Sequence, residues 1–129
     1  MGDKTVVRTE SAPAPFQGAP YSQAIKAAGL VFVAGQVGLK PDHGEVVGEG
    51  VAEQTEQVFD NLQAILEEAG SGLDRIVKTT VFLADFDDFQ AMNEVYARRI
   101  GESPPARATV EVSKLPSGAL VEIEAIALS

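Results

Sequence analysis

The clearest pattern of hydrophobic and polar positions is helical and runs from Val51 to Ala69. Its stripe residues recur every three or four positions, so they share one face of a helix, and Gly70 stands where a C-terminal cap belongs. The stripe comprises Val51, Thr55, Val58, Phe59, Leu62, Ile65, Leu66 and Ala69. A second helix is predicted from the acidic residues 85–88, which suit an N-cap, to about Ile100. The inward face of this helix comprises Phe89, Met92, Tyr96 and Ile100.

The other apolar segments alternate with polar residues or are rich in β-branched and aromatic residues, which indicates strands. They are residues 5–9, a hairpin of 22–28 and 30–36, then 76–84, the segment beginning at 107, and 120–127. Right-handed crossovers place both helices on the same side of such a sheet. The expected fold is therefore an α/β (α+β) sandwich in a single domain of residues 1–129, with one mixed sheet of about six strands and two helices packed on one face.

The strand that begins near Arg107 follows two prolines, Pro104 and Pro105, which end the preceding helix. Alternation places Arg107 and Thr109 on one face of this strand and its valines on the other. A guanidinium held at the start of a strand suits a carboxylate, because it can donate two parallel hydrogen bonds to it. On spacing alone, a surface arginine on an edge strand is the more common interpretation.

The sheet face that the helices leave open is expected to carry both charged and apolar side chains. Its expected members are Arg107, Thr109, Glu111, Leu120, Glu122, Glu124 and Ile126. Such a face is too apolar to remain in water and too charged for the core of a monomer. We therefore expect copies of the chain to associate, with polar residues lining clefts between subunits.

Composition excludes several classes of function. The net charge is −9, from 19 acidic and 10 basic residues, and such a surface repels the phosphates of nucleic acids. There is no cysteine, and His43, in a predicted turn, is the one histidine, so triads, cysteine–histidine pairs and zinc sites are excluded. Nucleotide-binding glycine motifs are absent. The longest apolar run, 30–34, is too short for a membrane span, and no signal peptide is recognisable, which predicts a cytoplasmic protein.

The residues that remain as candidates for a functional site are Arg107, the carboxylates Glu122 and Glu124, and the polar segment around Tyr21. An arginine can anchor a small carboxylate, and a glutamate can orient or deprotonate a water molecule. This combination suits hydration of an already electrophilic carbon. The plainer alternatives are a surface strand residue for Glu122 and a partly buried aromatic residue for Tyr21.

Six segments of the chain, in order and spread over nearly its whole length, resemble the RidA/YjgF/YER057c/UK114 family. They are residues 19–24 (APYSQA), 31–36 (VFVAGQ), 77–83 (VKTTVFL), 92–96 (MNEVY), 105–107 (PAR) and 121–127 (VEIEAIA). The resemblance implies a chorismate-mutase-like (YjgF-like) fold and a homotrimer whose sheets face inward, with ligand clefts between subunits. It also implies hydrolysis of reactive 2-imino acids, such as 2-iminobutanoate and 2-iminopropanoate, to 2-oxo acids and ammonia, which protects pyridoxal-phosphate enzymes. It implies neither cofactor nor metal.

The resemblance also assigns residues. Arg107 matches the family's carboxylate-binding arginine, and Glu122 matches the glutamate thought to position the hydrolytic water. Tyr21, Gly35 and Asn93 match pocket-lining positions, with Gly35 offering a backbone N–H.

At two further positions of the pocket that the resemblance implies, this chain has a different residue from the one common in the family. Ala34 stands where the family often has serine, so a hydroxyl contact to the ligand is missing. Thr109 replaces a common cysteine, which excludes thiol chemistry at this position. Two alternatives stay open: a non-catalytic or chaperone-like module that binds small carboxylates, and an endoribonuclease or translation inhibitor.

Overall fold

The structure, a computed structural model, describes residues 3–42 and 44–129, so the predicted turn residue His43 lies outside the described residues. The strands are β1 (Thr5–Val7), β2 (Ala24–Ala27), β3 (Leu30–Val37), β4 (Ile76–Leu83), β5 (Ala106–Glu111) and β6 (Val121–Leu128). The α-helices are α1 (Val51–Glu68) and α2 (Phe89–Ile100). The predicted element order is confirmed, and most predicted boundaries agree within two residues.

The six strands form one sheet in the order β1-β2-β3-β6-β4-β5. All neighbours are antiparallel except β4 and β5, which are parallel and connected through α2. Helix α1 contacts β3, β6 and α2, and α2 reaches β4 through a hydrogen bond between Tyr96 and Thr79. Both helices therefore cover the same face of the mixed sheet, as the sequence predicts.

Helix α1 supplies the largest part of the core because its apolar stripe is buried along its whole length. Val58, Phe59, Leu62, Ile65 and Leu66 are completely buried. The helix ends in a Schellman motif: the N–H of Ser71 donates to the carbonyl of Leu66 (2.8 Å), and that of Gly70 donates to Glu67 (3.0 Å). The φ of Gly70 is +83°, a backbone conformation that glycine adopts without strain. The predicted glycine cap is confirmed.

The predicted face of Arg107, Thr109 and Glu111 is wrong, and Glu111 is opposite the completely buried Leu83 in the register with β4. Arg107 is opposite Thr79 in the β4–β5 register, and Thr79 is completely buried beneath the helices. The guanidinium of Arg107 lies over the rings of Tyr96 and Phe89 in α2. Arg107 and Thr109 therefore face the helices, while the valine at 110 is 42% exposed on the other face. Alternation shows which residues share a face, but the pairing with β4 decides which face that is.

The open face of the sheet carries the expected mixture of apolar and charged residues from the other strands. Val6, Ile25, Phe32 and Ile126 are paired in one row across β1, β2, β3 and β6. On β6, Glu122 and Glu124 alternate with buried residues and share the face of this row. Phe32 is 41% exposed in the single chain, so this face offers apolar surface for association.

Candidate functional site

A cavity of about 390 Å³ lies where β3 and β6 meet the loops that precede β2 and β6. Its lining includes Tyr21, Gln23, Ala34, Gly35 and Glu122. Apart from Glu122, no charged side chain of the described residues lines it. Four of the predicted site residues, Tyr21, Ala34, Gly35 and Glu122, are therefore brought together in one place. A solitary carboxylate in a mostly apolar cavity is suited to act on a small ligand.

Glu122 can lie against the β3 backbone because the residue facing it is Gly35. The register between β3 and β6 shifts between Val33 and Gln36, which places Ala34 and Gly35 in a bulge. A Cβ added at Gly35 would overlap the Oε2 of Glu122 and lie 2.9 Å from its Cδ. The glycine thus leaves the space that the carboxylate occupies.

The environment of Glu122 raises the pKa of its carboxyl group. Burial is the main cause, because it penalises the charged form, and the nearby carboxylate of Glu124 adds to the effect. Among the described residues, no cation forms an ion pair with Glu122 to offset this. Its proton is therefore held more tightly than that of an ordinary glutamate, and such a group can exchange a proton with a bound water or ligand.

Tyr21 fixes the turn at the mouth of the cavity. The N–H of Phe16 donates a hydrogen bond of 2.7 Å to the hydroxyl oxygen of Tyr21, and both residues line the cavity. The turn that carries Phe16 has two left-handed residues, Gln17 (φ 52°) and Gly18 (φ 69°). Since its oxygen already accepts from Phe16, the Tyr21 hydroxyl retains its hydrogen as a donor for a ligand.

Buried side-chain amides hold the walls of the cavity, a feature that the sequence analysis missed. Gln23 donates to the carbonyls of residues 9, 12 and 13 and accepts from the N–H of Thr9 (2.7 Å). Asn61, completely buried in α1, donates to the carbonyls of Val37 (3.1 Å) and Leu39 (2.9 Å). The sequence does contain an indication of the role of Asn61, because a polar residue on the inward, apolar face of a helix needs buried hydrogen-bond partners.

The remaining predicted residues form a second group at the β5 edge of the sheet. The guanidinium carbon of Arg107 lies 4.6 Å from the ring centroid of Tyr96 and 5.6 Å from that of Phe89. No carboxylate in the described ranges forms an ion pair with Arg107. Asn93 lies one turn from both aromatic residues on α2, and its Oδ1 is buried without a hydrogen-bond partner among the described residues. Thr109 shares the face of Arg107.

The two groups do not meet within one chain. Glu122 lies on the open face of the sheet, whereas Arg107 lies on the face covered by the helices. Strand β4 also separates β6 from β5, so their backbones are about 10 Å apart. A ligand with the size of a small 2-oxo acid therefore cannot contact both side chains in a single copy of the chain.

In residues 3–42 and 44–129, no three His, Asp or Glu side chains are grouped in a way that could hold a metal ion. Within the same ranges, neither helix has the length and apolarity needed to cross a membrane.

Comparison with known proteins assigns the chain to a family. The sequence profile of the family described as endoribonuclease L-PSP matches residues 9–129. The chain belongs to this family. A RutC family protein from Pyrococcus abyssi is 54% identical over 124 residues, which cover 96% of each protein. A mouse protein named 2-iminobutanoate/2-iminopropanoate deaminase is 46% identical over 97% of this chain and 91% of its own.

Solved structures of family members have the same fold. The structure of E. coli TdcF with bound serine superposes with a TM-score of 0.89, covering 97% of this chain and 98% of TdcF at 34% sequence identity. The family resemblance seen in the sequence and the predicted fold are both confirmed.

Proposed function

We propose that this protein hydrolyses reactive 2-imino acids, such as 2-iminobutanoate and 2-iminopropanoate, to 2-oxo acids and ammonia, and thereby protects pyridoxal-phosphate enzymes. The observation that carries the proposal is the Glu122 carboxylate, the only charged side chain among the described residues of the cavity lining, which lies against Gly35 and has a raised pKa. The name of the mouse relative states this activity for that protein.

In the proposed reaction, Arg107 binds the carboxylate of the substrate and Glu122 orients a water molecule towards the imine carbon. The water oxygen forms a bond to that carbon, the C=N π pair moves to nitrogen, and Glu122 accepts a proton from the water. Glu122 then returns this proton to the nitrogen. The carbinolamine hydroxyl then gives up its proton, which Glu122 passes to the same nitrogen, and the C–N bond breaks as an oxygen lone pair forms the new C=O bond, releasing ammonia. The imine is already electrophilic, so position and proton transfer suffice.

We further propose that the complete site forms between subunits of a homotrimer whose sheets face inward. One subunit provides Glu122 with Tyr21, Ala34 and Gly35, and its neighbour provides Arg107. Support comes from the opposite faces of the two charged groups in one chain and from the exposed apolar row that includes Phe32. A closed ring of three copies would then contain three equivalent clefts.

The other predicted residues receive proposed roles in this cleft. Asn93 and Thr109 belong to the Arg107 side, where the unpartnered Oδ1 of Asn93 is an acceptor for a ligand N–H. Ala34 gives an apolar wall where a serine would place a hydroxyl. Tyr21 donates its remaining hydrogen to the ligand.

The test generates 2-iminobutanoate in situ with threonine dehydratase and measures its hydrolysis by competition with semicarbazide. Wild type should accelerate hydrolysis, whereas Arg107→Ala and Glu122→Gln should each lose activity while remaining folded. Absence of acceleration by folded wild-type protein, across several imino acids, would refute the proposal.

Mixing the two inactive variants tests the location of the site. After joint refolding at equal amounts, three quarters of random trimers are mixed, and each mixed trimer has one cleft with both native side chains. About a quarter of wild-type activity should therefore return. No recovery in verified mixed trimers would refute a site shared between subunits.

A non-catalytic module that binds small carboxylates is a second candidate, favoured by the bound serine in the TdcF structure. In that case wild type would bind 2-oxobutanoate in calorimetry but leave the rate of imine hydrolysis unchanged.

Ribonuclease activity is a third candidate, because the family description includes an endoribonuclease. The net charge of −9 opposes RNA binding. RNA degradation that persists through repeated purification and disappears in a point variant would support this function.

A further inference from the structure

Arg107 is held by a stack of aromatic rings that runs through the contact between the two helices. Arg99 lies over the ring of Phe59, with 5.7 Å from its guanidinium carbon to the ring centroid. Phe59 meets Tyr96 edge to face, with centroids 5.5 Å apart, and the other side of the stack ends at Arg107, 4.6 Å from the Tyr96 centroid. Two arginines therefore enclose a pair of aromatic rings.

The ring of Tyr96 cannot easily turn away from Arg107. Tyr96 is 95% buried, and its hydroxyl is joined to that of Thr79 by a hydrogen bond of 2.7 Å. Thr79 is completely buried and is the residue opposite Arg107 in the β4–β5 register. The pairing of β4 with β5 therefore places Thr79 beside Arg107, and through its hydrogen bond Thr79 also holds the Tyr96 ring against which the Arg107 side chain packs.

A ring and a carboxylate hold an arginine in different ways. A carboxylate would occupy the N–H donors of Arg107 and neutralise its charge, whereas a ring contacts the face of the guanidinium and leaves the N–H edge free. Among the described residues, Arg107 is contacted by two rings and paired with no carboxylate. This arrangement keeps the donors of Arg107 available to a ligand anion while limiting the rotamers of a long side chain on an edge strand.

We propose that Tyr96 is a positioning residue for Arg107: its ring, locked by Thr79, orients the guanidinium so that the N–H edge is presented to the ligand carboxylate. Phe89 supports the same guanidinium from a second direction. This inference rests on the proposed role of Arg107 as the carboxylate anchor. Tyr96 itself acts only through Arg107 and has no contact with the ligand.

The experiment measures binding of 2-oxobutanoate and of its uncharged amide, 2-oxobutanamide, by calorimetry. Tyr96→Leu removes the ring, and Val95→Ala truncates a buried neighbour on α2 that takes no part in the ring stack. Tyr96→Leu should weaken binding of 2-oxobutanoate about tenfold, the size expected for loss of a partly buried cation–π contact. Binding of the amide should change less than about twofold, because the amide offers no anion to the guanidinium.

Catalysis supplies a second readout. Tyr96→Leu should raise KM about tenfold and change kcat by less than about threefold, because it weakens an interaction that is made with substrate and transition state alike. Tyr96→Phe keeps the ring and should recover most of the lost affinity. Val95→Ala should match wild type in both measurements.

Three results would overturn the proposal: unchanged 2-oxobutanoate binding in folded Tyr96→Leu, equal losses for acid and amide, or no recovery with phenylalanine. If Tyr96→Leu does not fold, Phe89→Leu is measured in its place. It should weaken binding of 2-oxobutanoate about threefold and leave binding of the amide unchanged. Failure of the carboxylate anchor is distinguishable from these results, because Arg107→Ala would then bind 2-oxobutanoate as well as wild type does.

Discussion

The contact between Gly35 and Glu122 gives the sharpest prediction. In Gly35→Ala the new Cβ would overlap the Oε2 of Glu122 and lie 2.9 and 3.1 Å from its Cδ and Cγ. The φ of Gly35 lies outside the left-handed region, so alanine fits the backbone and the whole effect arises from the added methyl group. The carboxylate must move by about 1 Å or more to reach van der Waals distance.

A displacement of this size should lower kcat/KM for 2-iminobutanoate about 100-fold, because a misplaced catalytic group loses much of its effect. Stability should fall by no more than about 1–2 kcal/mol, since the obstructed atoms belong to the end of a flexible side chain. Gly44→Ala is the matched control, because nothing lies within 4 Å of a Cβ added there. It should retain wild-type activity.

The assay is imine hydrolysis with semicarbazide competition, accompanied by thermal unfolding of each variant. The double variant Gly35→Ala/Glu122→Gln should be no less active than Glu122→Gln alone, because both changes remove the same function. Activity of Gly35→Ala within about threefold of wild type would refute the reasoning. So would a further loss in the double variant.

The remaining predictions concern proton binding and the walls of the cavity. Because burial and Glu124 raise the pKa of Glu122, the acid limb of the kcat/KM–pH profile should lie above the pKa of an ordinary glutamate. Glu124→Gln should shift that limb to lower pH, and an unshifted profile would contradict this cause. A raised carboxyl pKa also means that the contribution of Glu122 to stability is present at low pH and lost as pH rises through that pKa. Glu122→Gln should therefore raise the unfolding temperature at pH 7 but not at pH 3, as measured by circular dichroism. Asn61→Ala removes the side-chain donor of the Val37 and Leu39 carbonyls; Val37 still accepts from the N–H of Leu39, but the buried bond to the Leu39 carbonyl is lost, so the free energy of unfolding should fall by about 1–3 kcal/mol. Urea denaturation tests this value, and a loss below about 0.5 kcal/mol would show that water replaces the amide.

The error in the face of Arg107 has a simple origin. The sequence pattern grouped Arg107 with Glu122 on the open face, because alternation along a strand shows which residues share a face but not which of the two faces that is. The structure places it under α2, where Tyr96 and Phe89 accept a guanidinium by its flat face. The correction separates the two charged groups of the proposed site within one chain, and this separation is the physical reason for proposing a site between subunits.

Local backbone geometry determined what the sequence could predict. The 3.6-residue period defined α1, the φ freedom of glycine placed its cap at Gly70, and two-residue alternation put Glu122 and Glu124 on one face of β6. These features depend on neighbours along the chain, so they can be deduced from the residues in order.

Only the tertiary structure decided how distant segments meet. The pairing of β3 with β6 places Gly35 against Glu122, and the pairing of β4 with β5 turns Arg107 towards Tyr96. The face on which a strand residue lies depends on register, and a one-residue slip would reverse it. Register is set by the packing of all strands and helices together, which no single segment of the sequence encodes.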